Sequence, residues 1–111
     1  MRKIDLVIFD CDGVLLDSEL ISCDCAVNAL QSAGMNIDID TVLARFVGTS
    51  RRDMGRQVQA EGYAVNPDFA EKLERSIADA FEHRLRSMPG IEQALSQLTL
   101  QRCVFRSSFA Y

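Results

Sequence analysis

The sequence predicts an α/β fold in which parallel strands are joined by helices. Residues 4–9 form an apolar run, rich in β-branched and aromatic side chains, that is typical of a buried strand in a parallel sheet. A second such run, residues 102–105, lies near the other end of the 111-residue chain. Apolar residues at helical spacing occupy the stretch between the two runs, and parallel strands need a long connection of this kind.

Caps and glycines divide the first half of this connection into three helices. Asp17-Ser18-Glu19 offers a cap and first-turn acids for a first helix, and Gly34 is its predicted stop. Asp40 is the predicted cap of a second helix. Ser50 followed by Asp53 has the form of a capping box and opens a third helix.

The second half of the connection predicts one long and one short helix. Asn66-Pro67 offers a cap and a first helical residue for a fourth helix. Its apolar stripe consists of residues four apart, namely Phe69, Leu73, Ile77, Phe81 and Leu85. This amphipathic pattern favours core packing over ligand binding. Pro89-Gly90 then precedes a short helix and the second strand.

Composition excludes several classes of protein. Hydrophobic residues make up 48% and charged residues 25% of the chain. This composition is typical of a globular protein rather than a disordered one. No apolar run approaches the roughly 20 residues of a membrane span, and a net charge of -4 disfavours nucleic-acid binding. We expect no signal peptide, a cytoplasmic location and reduced thiols for the four cysteines.

The residues that carry chemistry follow the first strand. Asp10 and Asp12 come at its end, where ligands bind in open α/β sheets, and Gly13 allows a sharp turn and leaves room for a ligand. Two close carboxylates suit Mg²⁺; Asp10 could attack phosphorus, and Asp12 could act as general acid and base. A simple strand-ending turn remains an alternative. An EF-hand is disfavoured because Ile8 would occupy its first ligand position.

Residues 7–19, Val-Ile-Phe-Asp-Cys-Asp-Gly-Val-Leu-Leu-Asp-Ser-Glu, resemble the first motif of the haloacid dehalogenase superfamily. The similarity is to the branch of β-phosphoglucomutases, phosphoglycolate phosphatases and small sugar-phosphate phosphatases. It implies a Rossmann-like parallel core with an inserted all-helical cap, and Mg²⁺-dependent hydrolysis through an aspartyl-phosphate. Asp10 would then be the nucleophile and Asp12 the general acid and base. Asp10 and the Asp12 carbonyl would hold Mg²⁺.

The resemblance also implies a division of the chain. Residues 1–15 would hold the first core strand and catalytic loop, residues 16–86 the helical cap, and residues 87–111 the return to the core. Gly13, Arg51 and Ser107 would contact the substrate, with Arg51 holding a second anionic group. A solvated arginine at a helix start is the alternative for Arg51. Counting from Gly90, the place of the family's second motif falls near Arg106, and Ser107 would supply that motif if the strand ends one residue later.

The family's later lysine and acidic pair have no counterpart in these residues, so we expect a C-terminally truncated, weakly active or inactive form. A reading-frame shift near Phe105 would explain the poor fit of the last residues. The expected ligand is a small phosphorylated metabolite, and the expected state is a monomer or weak dimer. Two alternatives remain open: a phosphosugar mutase of the same branch, and a non-catalytic helical binding module.

Overall fold

The computed structural model describes residues 2–105, in which helices lie between two paired strands. The elements, in chain order, are β1 Leu6–Asp10, α1 Glu19–Ser32, α2 Ile39–Phe46, α3 Arg51–Ala60, α4 Phe69–Arg84, α5 Ile91–Gln97 and β2 Gln101–Phe105. The strands pair in parallel, from Leu6 opposite Gln101 to Asp10 opposite Phe105. The predicted α/β class, with a parallel sheet and a long helical connection, is confirmed.

The hydrophobic core lies among helices α1 to α4. Its fully buried side chains come one from each helix and are Leu30, Val42, Val58 and Leu73. Helix α1 packs against α2 and α4, and α3 packs against α4. Burying each such side chain contributes roughly 1.5–3 kcal/mol, and the core cluster holds residues of these helices and their connections rather than of the sheet.

The prediction that the first strand is buried is wrong. Leu6 is 48% exposed and Ile8 is 63% exposed, and Val104 and Phe105 on β2 are exposed to a similar extent. The sheet formed by the described residues has only two strands. The helices among the described residues do not cover these strand side chains. An apolar pattern indicates that a strand is suited to be buried. The strand becomes buried only where helices or another sheet pack over it.

The cap predictions are confirmed at α3 and wrong at α2. The Ser50 hydroxyl accepts a hydrogen bond from the Asp53 backbone N–H at 3.1 Å, as the capping box requires. Helix α2 is capped by Asp38 instead of Asp40, and the Asp38 carboxylate accepts from the Thr41 N–H at 2.8 Å. The chain offers two aspartates two residues apart, and only the first adopts the extended backbone that a cap needs.

The long helix α4 begins two residues later than predicted, at Phe69. Asn66 and Pro67 lie in a preceding turn, in which the Phe69 N–H donates to the Asn66 carbonyl at 3.0 Å. Of the predicted stripe, Leu73 and Ile77 are buried, whereas Leu85 follows the helix end. Phe69 and Phe81 are partly buried against the same core, so the expected packing is confirmed for four of the five stripe residues.

Two expectations from composition concern the thiols and the membrane. All four cysteines are free. Among residues 2–105 every helix is too short or too polar to cross a bilayer.

Candidate active site

Asp10 lies at the carboxyl end of β1, where the parallel ladder ends. The ladder continues for one bond beyond the strand, because the Cys11 N–H donates to the Phe105 carbonyl at 3.1 Å. The Asp10 side chain is exposed. β1 thus presents Asp10 at the edge of the sheet where ligands bind in open α/β folds.

The loop after β1 is a tight turn held by backbone hydrogen bonds. The N–H groups of Leu15 and Leu16 both donate to the Cys11 carbonyl, at 3.0 and 3.1 Å. Gly13 has a φ of 75° and donates to the Leu16 carbonyl at 2.9 Å. A side chain at position 13 would be strained in this left-handed conformation, so glycine lets the turn close around Asp12.

A second segment fastens this loop from the other side. The Asp17 N–H donates to the Arg86 carbonyl at 2.8 Å, and the Met88 N–H donates to the Leu15 carbonyl at 2.9 Å. Residues 86–88 follow the end of α4, so the loop is joined both to β2 and to the chain that leaves the helices. These bonds fix the position of Asp12 relative to the helical bundle.

Ser18 binds Asp12, although the sequence suggested a helix cap. It occupies the N-cap position of α1, yet its side chain makes no capping hydrogen bond. The Ser18 hydroxyl donates to Asp12 Oδ1 at 3.3 Å and the residue is only 4% exposed. Sequence spacing could not show whether Ser18 caps α1 or binds Asp12, because that depends on the position in which the loop places Asp12.

One cavity of about 380 Å³ joins the loop to the helical bundle, a size within the range of small-molecule sites. Asp12, Gly13 and Ser18 line one part of it, and Arg51 and Glu74 line another. Its apolar walls come from α1 to α4 and include Ala26, Val42, Phe46, Met54, Leu73, Ile77 and Phe81.

The cavity brings together three of the predicted site residues, namely Asp12, Gly13 and Arg51. Asp10 lies two residues before Asp12, at the end of β1, and is not part of the cavity wall. Ser107 lies outside the described residues. Glu74 was not anticipated, since a single acid among the charged positions of α4 has no distinguishing sequence signal.

Arg51 is buried, which excludes the alternative of a solvated arginine at a helix start. The residue is 8% exposed, and its Nη1 lies 2.9 Å from Oε1 of Glu74 on α4. The two groups form an ion pair by distance, but neither Nε nor Nη1 of Arg51 has a hydrogen-bond partner among residues 2–105. Burial lowers the pKa of Arg51, and the charge of Glu74 partly opposes this effect.

The last residue of β1 and the loop that follows have the donor atoms that Mg²⁺ prefers. Asp10 and Asp12 offer carboxylate oxygens. The Asp12 backbone carbonyl accepts no hydrogen bond from residues 2–105, so it is free to bind a cation. This all-oxygen set fits a hard divalent ion that retains several waters.

Residues 2–105 thus combine a parallel two-stranded sheet, an aspartate-bearing loop at its carboxyl edge, and a cavity that this loop shares with helices α1 to α4. The family model described as "Haloacid dehalogenase-like hydrolase" matches residues 7–104. The chain belongs to this family, as its first motif indicated.

Relatives with known names or structures support the assignment. The chain is 34% identical over 106 residues to the 6-phosphogluconate phosphatase of Escherichia coli (strain K12), covering 94% of this chain and 48% of that protein. A haloacid dehalogenase-like protein from Agrobacterium tumefaciens str. C58 matches with a TM-score of 0.87 and 33% identity, covering 97% of this chain and 49% of that one. The chain therefore spans about half the length of these relatives.

A more distant structure shows the same fold. A HAD family hydrolase from Deinococcus radiodurans R1, crystallised with bound phosphate and sodium, matches with a TM-score of 0.78 at 24% identity. It covers 94% of this chain and 47% of that one. The two-stranded sheet and five helices of residues 2–105 are thus part of a Rossmann-like core with a helical cap.

Proposed function

We propose that this chain carries the nucleophile and substrate cap of a Mg²⁺-dependent phosphatase that acts on a small sugar phosphate or similar metabolite. The observation that carries the proposal is the shared cavity, in which Asp12 and Arg51 face the same space from different elements. Membership of the hydrolase family and the named phosphatase relative support the reaction class.

The proposed reaction proceeds in two steps at phosphorus. An Asp10 carboxylate oxygen attacks the phosphorus, the ester P–O bond breaks, and Asp12 protonates the departing alcohol oxygen. Asp12, now ionised, accepts a proton from water, which attacks the aspartyl-phosphate and releases inorganic phosphate and free Asp10. Mg²⁺ held by Asp10 and the Asp12 carbonyl would offset the repulsion between these carboxylates and the phosphate.

Ser18 is the proposed positioning residue for Asp12 in both steps. Its hydroxyl donates to one carboxylate oxygen of Asp12, which leaves the other oxygen available for proton transfer. Because Ser18 is buried and begins α1, this bond also connects the loop to the first cap helix.

The proposed substrate spans the cavity. Its phosphate lies by Asp12 and Gly13 in the cavity wall and next to Asp10 at the end of β1, and its other end contacts Arg51. The proposed division is a core part in residues 1–15, a cap in residues 16–86 and a return to the core in residues 87–111. Ser107 would contact the phosphate, and the cytoplasm, where reduced thiols persist, is the proposed location.

Turnover by the 111 residues alone is expected to be weak or absent, so binding of a phosphate mimic is the better test. Beryllium fluoride with Mg²⁺ mimics an aspartyl-phosphate, and a bound ¹⁹F NMR signal would report the complex. We expect the signal in the wild-type chain and its loss in Asp10→Asn. Asp5→Asn, which changes an exposed aspartate just before β1, should keep it. A signal that persists in Asp10→Asn, or none in the wild type, would contradict the proposal.

A further inference from the structure

The ion pair between Arg51 and Glu74 is the charged part of the cavity wall contributed by the helical bundle. Arg51 opens α3 and Glu74 lies in α4, and both line the cavity that contains Asp12. Their side chains are unequally buried: that of Arg51 is 9% exposed and that of Glu74 is 49% exposed. A ligand in the cavity therefore meets a carboxylate together with the guanidinium.

The pair has unused hydrogen-bonding capacity of both kinds. Arg51 Nη1 lies 2.9 Å from Oε1 of Glu74, whereas Arg51 Nε is a buried donor with no hydrogen-bond partner among residues 2–105. The Glu74 side chain is 49% exposed, so its carboxylate can accept further hydrogen bonds beside its contact with Arg51. Since buried donors without partners are costly, a ligand atom that accepts from Arg51 would be favoured there.

The charge of Glu74 decides what that ligand atom can be. An anionic group placed on Arg51 would also lie close to the Glu74 carboxylate, and like charges at short range in a partly buried site repel strongly. A neutral hydroxyl avoids this repulsion. It accepts a hydrogen bond from arginine and donates one to glutamate, so it matches both members of the pair.

We propose that Glu74 is a specificity-determining residue and that the Arg51–Glu74 pair selects substrates whose end remote from the phosphate is an uncharged polyol. This rests on the proposed phosphatase function, and it narrows the substrate class to sugar and polyol monophosphates without a second anionic group. Arg51 alone would instead favour a carboxylate or second phosphate at that end.

Two hexose-derived monophosphates differ in the required way. Sorbitol 6-phosphate ends in a hydroxyl, and 6-phosphogluconate ends in a carboxylate. Isothermal titration of the full chain in Mg²⁺ buffer would give a dissociation constant for each. We expect the wild type to bind sorbitol 6-phosphate at least about tenfold more tightly, which corresponds to about 1.4 kcal/mol.

Glu74→Gln tests the residue directly, because it removes the charge and keeps the shape. The preference for sorbitol 6-phosphate should shrink or reverse in this variant. Glu71→Gln, a matched control on the same helix but outside this cavity, should leave the preference unchanged. If Glu74→Gln fails to fold, the wild-type ratio of the two dissociation constants still decides. Equal or tighter wild-type binding of 6-phosphogluconate, or an unchanged ratio in folded Glu74→Gln, would overturn the inference.

A separate measurement distinguishes failure of this inference from failure of the proposed function. The Arg51 Nε–H NMR signal can be followed while unphosphorylated sorbitol or gluconate is added. A larger shift with sorbitol supports the pair's selectivity even if no phosphate compound binds. No shift, or a larger shift with gluconate, would overturn the inference even if the beryllium fluoride complex forms at Asp10.

Discussion

Neutralising either member of the Arg51–Glu74 pair should change the stability of the helical bundle in opposite directions. Arg51→Met removes a buried charge and leaves the Glu74 carboxylate, whose side chain is about half exposed to solvent. Glu74→Gln removes the counter-charge and leaves the guanidinium buried. We expect the first variant to be as stable as the wild type or more stable, and the second to be less stable.

The magnitudes follow from the unequal burial. Replacing a whole buried ion pair by apolar side chains of similar volume is neutral to stabilising by about 1–4 kcal/mol, whereas removing one partner is costly only if the charge left behind is buried. A half-exposed partner keeps much of its hydration, and pairs at exposed positions contribute about 0–1 kcal/mol. Because Nε of Arg51 is also buried without a hydrogen-bond partner among residues 2–105, we expect Arg51→Met to gain about 1 kcal/mol. Stranding a fully buried charge costs about 3–5 kcal/mol; with Glu74 half exposed, we expect about 1–2 kcal/mol.

Urea unfolding followed by circular dichroism at neutral pH would measure both free energies of unfolding. Thermal unfolding would provide an independent check, since 1 kcal/mol shifts the midpoint by about 4–8 °C in a domain of 60–100 residues. Glu71→Gln is the control for a charge change on the surface of α4 and should stay within about 0.5 kcal/mol. A loss of more than about 1 kcal/mol in Arg51→Met, or a Glu74→Gln variant that is more stable than Arg51→Met, would contradict this expectation.

Three further predictions concern the caps and the sheet. Hydrogen bonds from the Thr41 hydroxyl and backbone N–H lower the pKa of Asp38, so its contribution to stability is complete above the unfolded value of about 3.9 and is lost as the pH falls through the lower, folded value. Urea midpoints between about pH 5 and pH 2 should therefore fall more in the wild type than in Asp38→Asn, and parallel curves would contradict this. Ser50→Ala should cost about 1 kcal/mol in urea unfolding, with Ser50→Thr close to wild type, because the Asp53 N–H loses its acceptor; equal stability of all three would contradict the capping role. In sedimentation at micromolar concentration, the wild type should self-associate through its exposed apolar strands and Ile8→Lys should shift toward monomer; association that is the same in both would exclude that face.

Local interactions explain most of the successful sequence predictions. The capping box at Ser50 and Asp53 involves residues three apart, and the stripe through Leu73 and Ile77 depends only on helical periodicity. Such features can be read from short windows because the interacting groups are close along the chain. The motif around Asp10 is likewise one continuous segment, residues 7–19, which allowed the family resemblance to be seen from the sequence alone.

Contacts between elements explain what the sequence missed. Whether Ser18 caps α1 or binds Asp12 depends on the path of the loop. The exposure of Ile8 depends on which layers cover the sheet. Neither is encoded in the identity of the residue, because the same serine or isoleucine suits both situations.

The sequence by itself determined the α/β class, the parallel pairing of two strands, and the loop that holds Asp10 and Asp12. Only the tertiary structure placed Arg51 and Glu74 together, on different helices, at the cavity that Asp12 lines. The physical reason is that the charge environment of a buried group is set by packing between helices. An arginine that suits a second anion in isolation therefore has a different preference beside a carboxylate 2.9 Å away.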